Sequence, residues 1–166
     1  MIDLYPHQLE VKREIYSRVR EGHQRILVVA PCAFGKTILA ASIIYDAAVT
    51  KQKRVLFVAP YTCLIKQTQE TLANYGIAAG LIAGGEKETR ENLVQVATIQ
   101  TLLRRSLWFE PDLIIFDETH ILTFSSWAKK RFPPLSPLLK SSATSDGDTA
   151  EPSISRKIPQ SQSNIA

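Results

Sequence analysis

Two apolar runs, each emptying into a polar motif, restrict this chain more than any other feature of its sequence. Arg25-Ile26-Leu27-Val28-Val29 leads at once into Ala30-Pro31-Cys32-Ala33-Phe34-Gly35-Lys36-Thr37, and Leu113-Ile114-Ile115-Phe116 runs into Asp117-Glu118-Thr119-His120. Short, continuously apolar runs of this kind read as strands buried on both faces, which requires a parallel sheet covered by helices. In open sheets of that type ligands bind at the carboxyl ends of the strands. Both polar motifs emerge there.

Phosphates need backbone N–H groups turned inward, and a loop of small residues opening a helix supplies them together with the positive end of the helix dipole. Ala33, Phe34 and Gly35 form that loop. Lys36 is placed to reach β- and γ-phosphates as a point charge, and the Thr37 hydroxyl to ligate Mg²⁺. Gly-Lys-Thr alone is equally an ordinary helix start with a solvated lysine. The acidic pair tips the balance, because a surface charge cluster has no need to follow a buried strand. The chain is expected to bind ATP with magnesium.

At 166 residues and 45% hydrophobic content the chain suits one domain with a substantial core. No apolar run approaches the ~20 residues of a membrane span, and Met1-Ile2-Asp3-Leu4 does not open a signal peptide, so a cytoplasmic protein with no membrane partner is expected. Cys32 and Cys63 are too few and too far apart for a metal cluster, and are expected to be buried small residues. A net charge of +4 permits a polyanionic partner without demanding one.

Apolar spacing predicts a helix over His7 to Gly22, a strand Arg25–Val29, a helix Thr37–Ala48, a strand Arg54–Ala59 and a helix Cys63–Tyr75 stopped by Gly76. Strands follow at Ile77–Ile82 and Leu93–Ala97, then a short helix Thr98–Arg105 and the acid-bearing strand. The alternation is βαβ, hence a parallel sheet with helices on both faces. Residues 133–166 hold five of the nine prolines, eight serines and no aromatic, and are expected to be a largely disordered tail beyond a lobe at 1–132.

Over about residues 2 to 132 the motifs resemble, in order, the RecA-like first motor lobe of a superfamily 2 helicase of the DExH group, related to restriction-type and excision-repair helicases. Leu4-Tyr5-Pro6-His7-Gln8 is similar to the family's adenine-reading motif, which implies that Gln8 bonds the adenine edge and Tyr5 lies against the base. Val58-Ala59-Pro60-Tyr61-Thr62 and Ala97-Thr98-Ile99-Gln100-Thr101 are similar to segments that hold a nucleic-acid backbone. The resemblance thus implies sequence-tolerant contacts from Pro60, Thr62, Thr98, Gln100 and Thr101, with DNA ahead of RNA as partner. Thr62 and Thr98 are equally good helix N-caps. The resemblance also implies that Asp117 holds Mg²⁺, that Glu118 polarises the attacking water, and that His120 couples the nucleotide site to a later Ser/Thr-Ala-Thr motif, here Ser142-Ala143-Thr144.

The pattern departs from the family in two places. Ala33 stands where relatives usually carry glycine; its methyl is harmless at negative φ and otherwise weakens binding. The strand expected before Ser142 is only Leu138-Leu139-Lys140-Ser141, and the resemblance puts it in the middle of the sheet, between the phosphate-loop strand and the acid-bearing strand. No second lobe follows, although in this family that lobe supplies an arginine finger and the other wall of both clefts. A truncated or frame-shifted end, and a sheet incomplete there, are therefore expected. The chain reads as the ATP-binding lobe of a nucleic-acid-dependent ATPase that hydrolyses ATP only with a second lobe. The alternative is a non-catalytic nucleotide-binding module completed by a partner chain in trans. A small-molecule kinase is disfavoured, since it has no use for Asp-Glu-x-His or the glutamine motif.

Overall fold

A computed structural model describes residues 2–31, 33–85, 89–104 and 110–117, with the backbone alone of 138–142 and 153–154. Helix α1 (Pro6–Arg20) opens with proline at its first position, where the missing N–H leaves nothing unsatisfied, and buries Gln8, Val11 and Ile15. There follow β1 (Arg25–Val29), α2 (Lys36–Ile44), β2 (Val55–Ala59), α3 (Thr62–Asn74), β3 (Ala79–Ile82), β4 (Val94–Thr98), α4 (Ile99–Arg104), β5 (Leu113–Phe116), β6 (Leu138–Ser142) and a short β7 (Ser153–Ile154). The expected elements up to β5 are present, their ends displaced by a residue or two. The exception is the second half of the predicted Thr37–Ala48 helix, which widens into a π-helix over Tyr45–Thr50.

The strands form one sheet in the order β3-β4-β2-β5-β6-β1-β7. All pair in parallel except β7, which runs antiparallel to β1. From β1 the chain crosses to β2 and on to β3 in one direction, then returns through β4 to β5 in the other. Right-handed crossovers therefore put α2 and α3 on one face, where they pack together, and α4 on the other. The core follows from the apolar runs: all five residues of β2 and of β4 are buried, as are Ile114, Ile115 and Phe116 of β5. No helix among the described residues is long and apolar enough to cross a membrane.

Residues 138–142 fill the slot between the phosphate-loop strand and the acid-bearing strand. Ile26 pairs with Leu139 on one side of β6 and Ile115 with Leu139 on the other. The central position expected for this segment is thus observed, while the expected gap in the sheet is corrected: residues 138–142, inside the Pro/Ser-rich stretch, pair with β1 and β5 on either side. The rest of 133–166 lies outside the described residues.

The π-helix positions Asp46 toward α1. Its carboxylate accepts from the Tyr16 hydroxyl (2.6 Å) and pairs with Lys12 (2.7 Å), whose ammonium also reaches the Ser42 hydroxyl (2.5 Å). Burial works against the Asp46 charge, but the hydrogen bonds from Lys12 and Tyr16 and the charges of Lys12 and Lys51 outweigh it, so its pKa lies below the ordinary carboxylate value. Burial first, then the bond to Asp46, pushes the Tyr16 phenol upward. This knot fastens α1 to α2.

Candidate functional site

At the carboxyl end of β1 the chain turns through Ala33 (φ 64°) and Gly35 (φ 82°), both left-handed, before α2 begins at Lys36. Left-handed residues alternating with an ordinary one aim successive N–H groups into a common concavity. Gly35 is the N-cap of α2, and its carbonyl accepts from the Ile38 and Leu39 amides at 3.0 Å each. Ala33 holds the positive φ at which its methyl is costly, about 1–3 kcal/mol for a non-glycine residue in this region.

Gln8 is 1% exposed and its amide is committed to this loop. Its Nε2 donates to the Phe34 carbonyl at 2.9 Å and weakly to Gly35 at 3.5 Å, while Oε1 accepts from the Tyr5 backbone N–H at 3.0 Å. A Cβ on residue 35 would collide with that Nε2. Gln8 therefore reads the loop directly. The surface beside it is aromatic: Tyr5 stacks on His7 (centroids 5.7 Å apart, 7° between planes), and His7 meets the edge of Phe34 at 5.0 Å. A lone histidine between proline and glutamine carries no signal in the sequence, and His7 becomes informative only when the fold brings Phe34 beside it.

The Lys36 ammonium donates to the Ala30 carbonyl at 3.3 Å. One small cleft on the α2 side is lined by Lys36, Thr37 and Asp117, with Val28, Phe57 and Phe116 as its apolar floor. The Asp117 amide still pairs with the Val58 carbonyl at 2.9 Å, so the carboxylate stands on the last rung of the ladder. A hydroxyl and a carboxylate are hard oxygen donors suited to Mg²⁺, and both residues border this largely apolar cleft. Glu118, His120 and Thr144 lie outside the described residues. The backbone of Ser142 pairs with Val29, at the phosphate-loop end of the sheet.

A second, open cleft of about 370 Å³ lies at the carboxyl ends of β2 and β4, lined by Pro60, Tyr61, Thr62, Gly84, Thr98, Gln100, Thr101 and Arg104. All five residues expected to touch a nucleic-acid backbone meet here. They are not equally available. Thr62 and Gln100 are exposed, whereas Pro60 is buried. Thr98 and Thr101 are buried too, and their hydroxyls bond each other at 2.8 Å. Tyr61, which lies within the Val58–Thr62 segment but carries no contact of its own in the resemblance, and Arg104 also line the cleft; Arg104 follows Gln100 by four residues in α4, a spacing that gives them one face. The expectation that both cysteines are buried is corrected for Cys63, which is exposed because it stands in the first turn of α3, away from the sheet. Cys32 lies outside the described residues.

Family and fold together give a helicase-type N-terminal motor lobe with an α/β P-loop architecture. Residues 1–146 match the family described as "Type III restriction enzyme, res subunit", and the chain belongs to that family. Its fold is similar to the UvsW helicase of bacteriophage T4 (TM-score 0.62, 21% identity, covering 84% of this chain and 52% of that one). It is also similar to the SWI2/SNF2 ATPase core of Sulfolobus solfataricus in complex with dsDNA (TM-score 0.66, 18% identity, 86% and 32%). A third likeness is the Type ISP restriction-modification enzyme LlaGI with a DNA substrate mimic (TM-score 0.62, 18% identity, 87% and 17%). This chain thus spans about half the length of the first and less of the others. No curated protein matches it significantly.

Proposed function

We propose that this lobe binds ATP with Mg²⁺ at the end of β1 and β5, binds nucleic acid across the cleft at the ends of β2 and β4, and hydrolyses ATP only when a second lobe closes over it. The observation that carries the reading is the convergence of Lys36, Thr37 and Asp117 on one cleft beside a left-handed loop at a helix start. Lys36 would exchange a neutral carbonyl for phosphate oxygens, a stronger charge-assisted contact. Thr37 and Asp117 would hold the magnesium ion, which would neutralise phosphate charge. Ala33, Phe34 and Gly35 would offer backbone N–H groups, with Tyr5 against the adenine base and Gln8 fixing the loop beneath it. Glu118 would orient the attacking water, with His120, Ser142 and Thr144 relaying the state of the nucleotide. DNA is the favoured polymer, held through its backbone, in the cytoplasm.

The test is Lys36→Ala. A folded variant should lose at least about tenfold in affinity for a fluorescent ATP analogue, in line with the roughly 1.5–3 kcal/mol of a hydrogen bond to a charged group. Unchanged affinity would remove the phosphate loop from the site.

A further inference from the structure

We infer that Tyr61 makes the cleft at the ends of β2 and β4 selective for single-stranded nucleic acid, by stacking on an unpaired base while the backbone runs past Thr62, Gln100 and Arg104. The inference rests on the nucleic-acid reading above and goes beyond it by naming the strand state and the residue that senses it. Tyr61 is 59% exposed, a large ring left in water in the lining of an open cleft of mixed polarity. Its backbone is fixed: its carbonyl accepts from the Leu64 amide at 3.1 Å and the Ile65 amide at 3.3 Å, and the preceding Pro60 is buried. Its side chain makes no capping bond. Gly84 lines the same cleft and has nothing within 4 Å of where a Cβ would be, which leaves open space for a flat group. The exposed Arg104 and Gln100 supply a cation and an amide for a phosphate.

Backbone contacts alone have no use for an exposed aromatic ring. A continuous duplex buries its base faces inside the stack and offers such a ring only sugar and phosphate, whereas every unpaired base has a π-face, so stacking is strong and indifferent to sequence. A tyrosine on a fixed backbone loses little freedom when it stacks.

The full chain is titrated with a labelled oligothymidylate, an abasic oligomer of equal length, and the thymidylate paired with oligodeoxyadenylate. Wild type should bind the oligothymidylate more tightly than the other two. Tyr61→Ala should weaken that binding by roughly 5- to 150-fold while leaving the abasic oligomer and the duplex unchanged, and Tyr61→Phe should retain most of the preference. Arg104→Glu should weaken all three probes. Equal binding of the oligothymidylate by Tyr61→Ala and wild type overturns the stacking role, and so does an equal loss across the three probes. If Arg104→Glu still weakens all three in that event, the nucleic-acid reading stands without Tyr61. Failure of wild type to bind any of the probes overturns both.

Discussion

The side-chain amide of Gln8 occupies the space that a Cβ on residue 35 would need. Two segments 27 residues apart are thereby fitted to one another: the glutamine before the first turn of α1 closes, and the glycine at which the phosphate loop becomes a helix. Gly35 is required twice, by its left-handed φ of 82° and by Gln8.

The two requirements separate experimentally. Gly35→Ala should destabilise the fold by about 1–3 kcal/mol from backbone strain, with a further loss from displacing Gln8, read by urea denaturation. In a Gln8→Ala background the same substitution should cost measurably less, because only the strain remains. Strictly additive effects in that cycle would show that the amide and the glycine are not in contact.

Ala33→Gly should act in the opposite direction. Glycine removes the strain of a φ of 64° but adds freedom to the unfolded chain, so the net gain should be up to about 1 kcal/mol of stability. Affinity for an ATP analogue should rise or stay level. A loss of stability would mean that residue 33 does not hold the left-handed conformation in solution.

The knot between α1 and α2 gives a pH signature. The folded pKa of Asp46 lies below its ordinary value, so its contribution to stability is present above about pH 4, the unfolded value, and fades as pH falls through the folded value. Asp46→Asn should therefore lower the melting temperature at pH 7, and the gap to wild type should narrow below about pH 4. The pair with Lys12 is partly exposed, so the effect should be modest and should shrink in salt. A gap independent of pH would point to shape and hydrogen bonding in place of charge.

Much of this was legible in the sequence for definite reasons. Four apolar residues before Asp117 and five residues before the phosphate loop specified buried parallel strands, and the carboxyl-end rule then brought Lys36, Thr37 and Asp117 to one side of the sheet. What the sequence hid were relationships between distant side chains. Nothing marks Lys12, Tyr16 and Asp46 as partners across 30 residues, and the π-helix that turns Asp46 inward has no signature in Tyr45-Asp46-Ala47-Ala48, which reads as ordinary helix. Thr98 and Thr101 look like two exposed donors, yet their three-residue spacing at the start of α4 closes them on each other. Gln8 reads as a polar cap until the loop it holds arrives beside it.

Strand β6 combines the weakest strand signal in the sequence with the most demanding place in the sheet. Leu139 pairs with Ile26 and with Ile115, so its backbone lies between two strands and neither of its sides faces solvent along the sheet. Proline there removes an N–H from the ladder and leaves a buried acceptor without its donor, at a cost of about 1–3 kcal/mol. Leu139→Pro should therefore speed amide exchange at Leu27 to Val29 and at Ile114 to Phe116. It should spare the pairing of β2 with β4, on the far side of β5, since that ladder holds without β6. In the unsubstituted chain, Leu27 to Val29 should be protected to a similar degree as Leu56 to Val58. Exchange at Leu27 to Val29 that is fast already, and indifferent to the substitution, would show that residues 138–142 do not close the sheet in solution. The two strands that lead to Lys36 and Asp117 would then lack the common support that sets their separation.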